Sequence, residues 1–256
     1  MPVAKVNGIK INYKVEGEGQ VLVLISGLGS DLSLWRYQLP AFKKHCRVIA
    51  FDNRGAGKSD KPIGPYFVKG LAEDTVALLD YLRIEKADIL GYSLGGMIAQ
   101  EVAINYPQRV TRLILCSTLS NHEGKSGQTD EGKKLVTLSK LGYLWALVSL
   151  AFDSPFNRVT QFIKRTMISN KTYIQGYRAQ GEASLRHNTL DRLHLIKGPT
   201  LIMVGTNDRL LRPSSSEVLA AKIPQAKLVR IEGGSHDMCI EKSKEFNAAV
   251  LRFLES

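Results

Sequence analysis

Short apolar runs alternate with stretches of helical periodicity along most of this 256-residue chain, and that alternation is the strongest constraint on its fold. Ile9–Val15, Val21–Ile25, Arg47–Phe51, Ala87–Leu90, Val110–Leu115, Thr200–Val204 and Lys227–Ile231 read as strands. The polar-interrupted Met1–Lys10 reads as a further short strand rather than a signal peptide. Between the strands, Leu34–Phe42, Leu71–Leu82, Met97–Tyr106, Ser214–Lys222 and Ser243–Leu254 carry apolar residues at helical spacing. Strands separated in this way predict a mainly parallel sheet with helices on both faces. In such sheets the chemistry gathers on loops beyond the carboxyl ends of the strands. The early pair Ile9–Val15 and Val21–Ile25, joined by Glu16-Gly17-Glu18-Gly19, predicts a hairpin.

The alternation breaks once, between about Thr118 and Leu190. This divides the chain into an α/β core, 1–117 with 191–256, and an inserted helical cap, 118–190. Within the cap Leu141–Phe152 is nearly all apolar, but a twelve-residue run is too short to span a bilayer. It predicts a lid packed over a pocket. Trp145, with its apolar neighbours, either lines that pocket as a substrate-binding residue or holds the lid together.

Composition narrows the partners. The net charge of +11 comes from Lys and Arg placed singly, without a nucleic-acid-binding motif, so neither nucleic acid nor a membrane span is expected. Cys46, Cys116 and Cys239 are odd in number and far apart, which predicts buried thiols in a cytoplasmic protein, with no disulfide framework and no zinc site. Gly27-x-Gly29 and Gly55-x-Gly57 lack the third glycine and helix of a dinucleotide site. No cofactor and no metal are expected.

One strand-to-helix junction carries chemistry. Gly91-Tyr92-Ser93-Leu94-Gly95 follows a buried strand and opens a helix, the setting of a nucleophile elbow, where a strained turn lifts a serine hydroxyl off the sheet. A serine hydroxyl needs a base to take its proton and a third group to orient that base. His236, in Gly233-Gly234-Ser235-His236, is the base candidate, and Asp208, after the strand Thr200–Val204, the acid candidate. Each follows a different strand, in the order Ser, Asp, His. The oxyanion donors fall on the backbone amides of Leu94, next after the serine, and Leu28, in the glycine-rich Ser26-Gly27-Leu28-Gly29 loop.

Together with Phe51-Asp52-Asn53-Arg54-Gly55-x-Gly57-x-Ser59, these motifs resemble the α/β-hydrolases, in particular the lid-bearing carboxylesterases and 3-oxoadipate enol-lactonases. The resemblance implies a mostly parallel eight-stranded sheet flanked by helices, with a helical lid inserted after the sixth strand. It implies a serine hydrolase of small to medium carboxylic esters, working through an acyl-enzyme on Ser93, His236 and Asp208, as a monomer or homodimer. Enol-lactone and carbon–carbon-bond hydrolysis use the same triad, and a slow-turnover ligand receptor uses the same fold. Asp52 and Arg54 then fix a bend rather than react. One departure stands out: many relatives carry a histidine that braces the oxyanion loop where this chain has Ser26.

Overall fold

The structure, a computed structural model, describes residues 2–122 and 171–256. Trp145 and the apolar run Leu141–Phe152 lie outside the described residues. The strands are β1 (Val3–Val6), β2 (Ile9–Glu16), β3 (Val21–Ile25), β4 (Arg47–Phe51), β5 (Ala87–Tyr92), β6 (Val110–Cys116), β7 (Thr200–Gly205) and β8 (Ala226–Ile231). They form an eight-stranded sheet in the order β1-β2-β4-β3-β5-β6-β7-β8. Pairing is antiparallel at β1–β2 and β2–β4 and parallel from β4 onward. This is the α/β-hydrolase architecture expected from the motifs.

The described α-helices are α1 (Leu39–Phe42), α2 (Val68–Tyr81), α3 (Leu94–Asn105), α4 (Lys171–Leu185), α5 (Pro213–Lys222), α6 (Met238–Glu241) and α7 (Ser243–Leu254). Strand alternation divides the core into two layers. Val23 and Ile25 of β3 join Leu71, Leu78 and Leu79 of α2, Met97 of α3 and Ala183 of α4 on one face. Leu22 and Leu24 of the same strand join Trp35, Phe42 and the α7 residues Phe246, Val250 and Phe253 on the other. A strand apolar on both faces can sit only inside such a sandwich, which is why β3 is central.

That central position overturns the expected β2–β3 hairpin. β4 lies between them, pairing antiparallel with β2 (Tyr13↔Phe51) and parallel with β3 (Leu22↔Val48). The connection Gly17–Gly19 therefore crosses the start of β4, and a β-carbon on Gly17 would lie 2.3 Å from the Cys46 carbonyl oxygen. The hairpin is instead β1–β2, turning at Asn7 and Gly8 with φ of 48° and 74°. Asn-Gly with two positive φ values is the favoured two-residue hairpin turn. The expected helix Leu34–Phe42 is likewise divided, into a 3₁₀ turn at Leu32–Trp35 and the short α1 containing Pro40, whose ring nitrogen donates no hydrogen bond.

Candidate active site

Ser93 sits at the carboxyl end of β5 with φ 55° and ψ −118°, a backbone geometry that residues bearing a β-carbon seldom adopt. The surroundings hold it there. Its N–H donates to the Cys116 carbonyl at 2.9 Å, and the Thr118 hydroxyl donates to its carbonyl at 2.8 Å. The flanking glycines answer to close approach: a β-carbon on Gly91 would fall 2.2 Å from the Gly95 oxygen, and one on Gly95 2.0 Å from the Ile25 oxygen. α3 begins at Leu94, so the Leu94 N–H belongs to a first turn whose amides have no partner within the helix. The partial positive charge of that helix end sits beside the hydroxyl.

Three distant stretches meet here in one hydrogen-bonded row. His236 Nε2 lies 3.1 Å from Ser93 Oγ, and its Nδ1 lies 2.8 Å from Asp208 Oδ2. The other Asp208 oxygen accepts from the N–H groups of Leu210 and Leu211, both at 2.9 Å, which holds the carboxylate in place beside the imidazole. Burial alone would push His236 below its ordinary 6.5. The charge of Asp208 and its hydrogen bond, with Asp237 adding to them, more than offset this and raise it. Such a row can pass a proton from a hydroxyl to an imidazole and hold the resulting imidazolium.

The neighbouring carboxylate, Asp237, accepts from the Tyr92 hydroxyl at 2.5 Å, while the two imidazole nitrogens meet Asp208 and Ser93. Burial is the main cause that raises it, to about 6, against the opposing pull of His236 and the Tyr92 hydroxyl. The Tyr92 hydroxyl is also 3.2 Å from the His236 carbonyl, so the elbow and the histidine loop are tied directly. Nothing in the sequence motif marks that tie.

The Ser26–Gly29 loop follows β3, the strand next to β5. A β-carbon on Gly27 would lie 3.0 Å from the Tyr92 ring and 3.2 Å from Ser93 Cβ, so the loop presses on the elbow at the reacting serine. Ser26 Oγ accepts from Trp35 Nε1 at 2.9 Å, and the Ser26 carbonyl accepts from Asn53 Nδ2 at 2.9 Å. Leu28, half-buried, follows Gly27. A residue unmarked in the sequence, the buried Gln180 of α4, reaches the same loop.

The Asp-x-Arg segment is structural. Asp52 accepts from Asn12 Nδ2 and from the N–H groups of Leu32 and Lys58, while Arg54 makes a two-pronged pair with Asp74 of α2 at 2.7 Å. His187 is buried, and burial lowers it to about 4. The three cysteines are free and buried. Among the described residues no cluster of three or more side chains suited to a metal is found, and no helix is long and apolar enough to cross a membrane.

Comparison with known proteins agrees with this fold. The family described as alpha/beta hydrolase fold matches residues 20–136 and 137–243. The chain is 28% identical to 3-oxoadipate enol-lactonase 2 of Acinetobacter baylyi over 94% of its length and 92% of the relative's. Among solved structures, the enol-lactonase of Burkholderia xenovorans LB400 superposes with a TM-score of 0.88 at 30% identity, covering 100% of both chains. A meta-cleavage product hydrolase of Pseudomonas fluorescens IP01 superposes with a TM-score of 0.89 at 25% identity, over 100% of this chain and 97% of the other.

Proposed function

The chain belongs to the alpha/beta hydrolase fold family, and from that premise we propose that it is a serine hydrolase cleaving small to medium carboxylic esters. The observation that carries the proposal is the Ser93–His236–Asp208 row, with contacts of 3.1 and 2.8 Å, set at a strained elbow. His236 Nε2 takes the Ser93 proton as Oγ attacks the ester carbonyl, and Asp208 holds the imidazolium through Nδ1. The carbonyl oxygen, now an oxyanion, rests on the amides of Leu28 and Leu94. His236 returns the proton to the departing alkoxide and the alcohol leaves an acyl-serine. Water, deprotonated by the same imidazole, then attacks the acyl carbonyl, and the carboxylic acid is released with Ser93 restored. Residues 118–190 form the cap that shapes the acyl site in this reading.

A second reading is favoured by the likeness to enol-lactonases, which are lactone-cleaving by name. A lactone follows the same steps with the alcohol tethered to the acyl group. A substrate bearing further carboxylates needs a buried cation, and the α4 arginines Arg178 and Arg186 are both exposed, with Arg186 paired to Glu182. The test is Ser93→Ala assayed on p-nitrophenyl butyrate. Turnover should fall by about 10⁴-fold or more with the fold retained by circular dichroism, and labelling by a fluorophosphonate should disappear. Largely intact turnover in the variant refutes the assignment.

A further inference from the structure

Resting on that serine-hydrolase reading, we propose that Gln180 is a positioning residue of the oxyanion hole, bracing the Ser26–Gly29 loop from α4. The carboxamide bridges two loops. Its Oε1 accepts from the Gly29 N–H at 2.9 Å, and its Nε2 donates to the Arg54 carbonyl at 2.6 Å. The side chain is fully buried, so neither loop group has water as a ready substitute.

The loop it holds needs an outside partner. Ser30 N–H donates to the Gly27 carbonyl at 3.2 Å, closing a turn with Leu28 and Gly29 at its centre, and Gly29 has φ +66°. In a turn with positive φ at its third residue, the central peptide is not engaged by the turn's own hydrogen bond. That peptide carries the Gly29 N–H which Gln180 accepts. Leu28 therefore lies between two anchored points, Gly27 packed on Tyr92 and Ser93, and Gly29 tied to Gln180.

The helix is fitted to this position. Gly176, Tyr177 and Gln180 share one face, at spacings of three and four residues. A β-carbon on Gly176 would fall 2.3 Å from the Gly55 oxygen, and one on Gly29 2.4 Å from the Tyr177 ring. Backbone and ring contact thus fix the distance across which one carboxamide reaches both loops. α4 lies within the range assigned to the cap, so cap position is coupled to the Leu28 amide.

The test compares parent, Gln180→Ala, Gln180→Glu and Ser93→Ala on p-nitrophenyl butyrate, with a trifluoromethyl ketone as a mimic of the tetrahedral adduct. Gln180→Ala should lower kcat by about 10–100-fold, as a displacement near 1 Å does, with KM changed less than about threefold. The ketone should bind more weakly by about the same factor as kcat falls. In Gln180→Glu a protonated carboxyl can accept from Gly29 and donate to Arg54, whereas the carboxylate cannot donate. Its kcat relative to parent should therefore recover as pH falls from 8 to 5.5. Gln180→Met, of similar volume without either polar contact, takes the place of the alanine variant if that one fails to fold. A kcat within threefold of parent, a loss confined to KM, or a Gln180→Glu ratio flat with pH overturns the positioning role. A parent that turns over no ester, or turnover that survives Ser93→Ala, overturns the hydrolase reading instead.

Discussion

Asp237→Asn should stabilise the protein, and only above the pH at which this carboxyl ionises in the unfolded chain. Asp237 is buried beside His236, with Tyr92 as its hydrogen-bond donor, and is raised from 3.8 to about 6. A carboxyl whose folded value lies above its unfolded one favours folding below the unfolded value, and that contribution is lost as pH rises through the folded value. The interval between 3.8 and about 6 corresponds to about 3 kcal/mol at neutral pH. Asparagine keeps an oxygen for the Tyr92 hydroxyl and removes the charge. The gain should therefore be near zero below 3.8, about 1–2 kcal/mol at pH 5 and about 3 kcal/mol at pH 7.

Urea unfolding at pH 5, 6 and 7 reads this directly, with the slope unchanged and the midpoint rising. At neutral pH the melting temperature should climb by about 6–12 °C. Because Asp237 also helps raise His236, the acid limb of the activity profile should move to lower pH in the same variant. A gain that is absent at pH 7, or equal at pH 5 and 7, refutes the argument that burial of this carboxylate opposes folding.

Two further predictions follow from the site. In the parent, kcat/KM should rise with pH as His236 loses its proton, with a midpoint above 6.5; Asp208→Asn leaves the effect of burial less opposed, so the midpoint should fall while kcat drops by about 10⁴-fold. Gly95→Ala places a β-carbon 2.0 Å from a backbone oxygen and should lower unfolding stability by about 3 kcal/mol or more, whereas Gly70→Ala in α2, with nothing within 4 Å, should raise it by about 0.5–1 kcal/mol; equal urea midpoints for the two would remove the steric account of the elbow.

The parts of this site legible in the sequence are those that sterics fix at short range. The elbow could be read because the glycines two positions either side of Ser93 each face a backbone oxygen, a requirement no other residue meets. Strand identities could be read from apolar runs, but not their partners. β2 and β3 are neighbours in sequence and separated by β4 in the sheet, since pairing follows from burial of β3 on both faces and not from loop length. The Asn7-Gly8 turn lies inside Met1–Lys10, which reads as one short strand, although Asn-Gly is itself a hairpin signal. Gln180 was not legible at all. A glutamine within a helix has no local signature, and its partners are 151 and 126 residues away.

The same distinction explains how His236 reaches a serine three strands away. β8 lies at the edge of the sheet, and the loop beyond it must return across the ends of β7 and β6 to β5. Each strand end in turn holds it. Beyond β7, the Asn207 N–H donates to the Gly234 carbonyl at 2.9 Å, and Gly205 admits that backbone at a distance no β-carbon allows. Beyond β6, the Ser117 hydroxyl donates to the His236 carbonyl at 3.1 Å, and from β5 the Tyr92 hydroxyl reaches the same carbonyl and Asp237. None of these groups is in the row itself, yet together they set where the imidazole stands between Asp208 and Ser93. The motif residues name the chemistry, and the polar groups at the ends of β7, β6 and β5 fix its geometry.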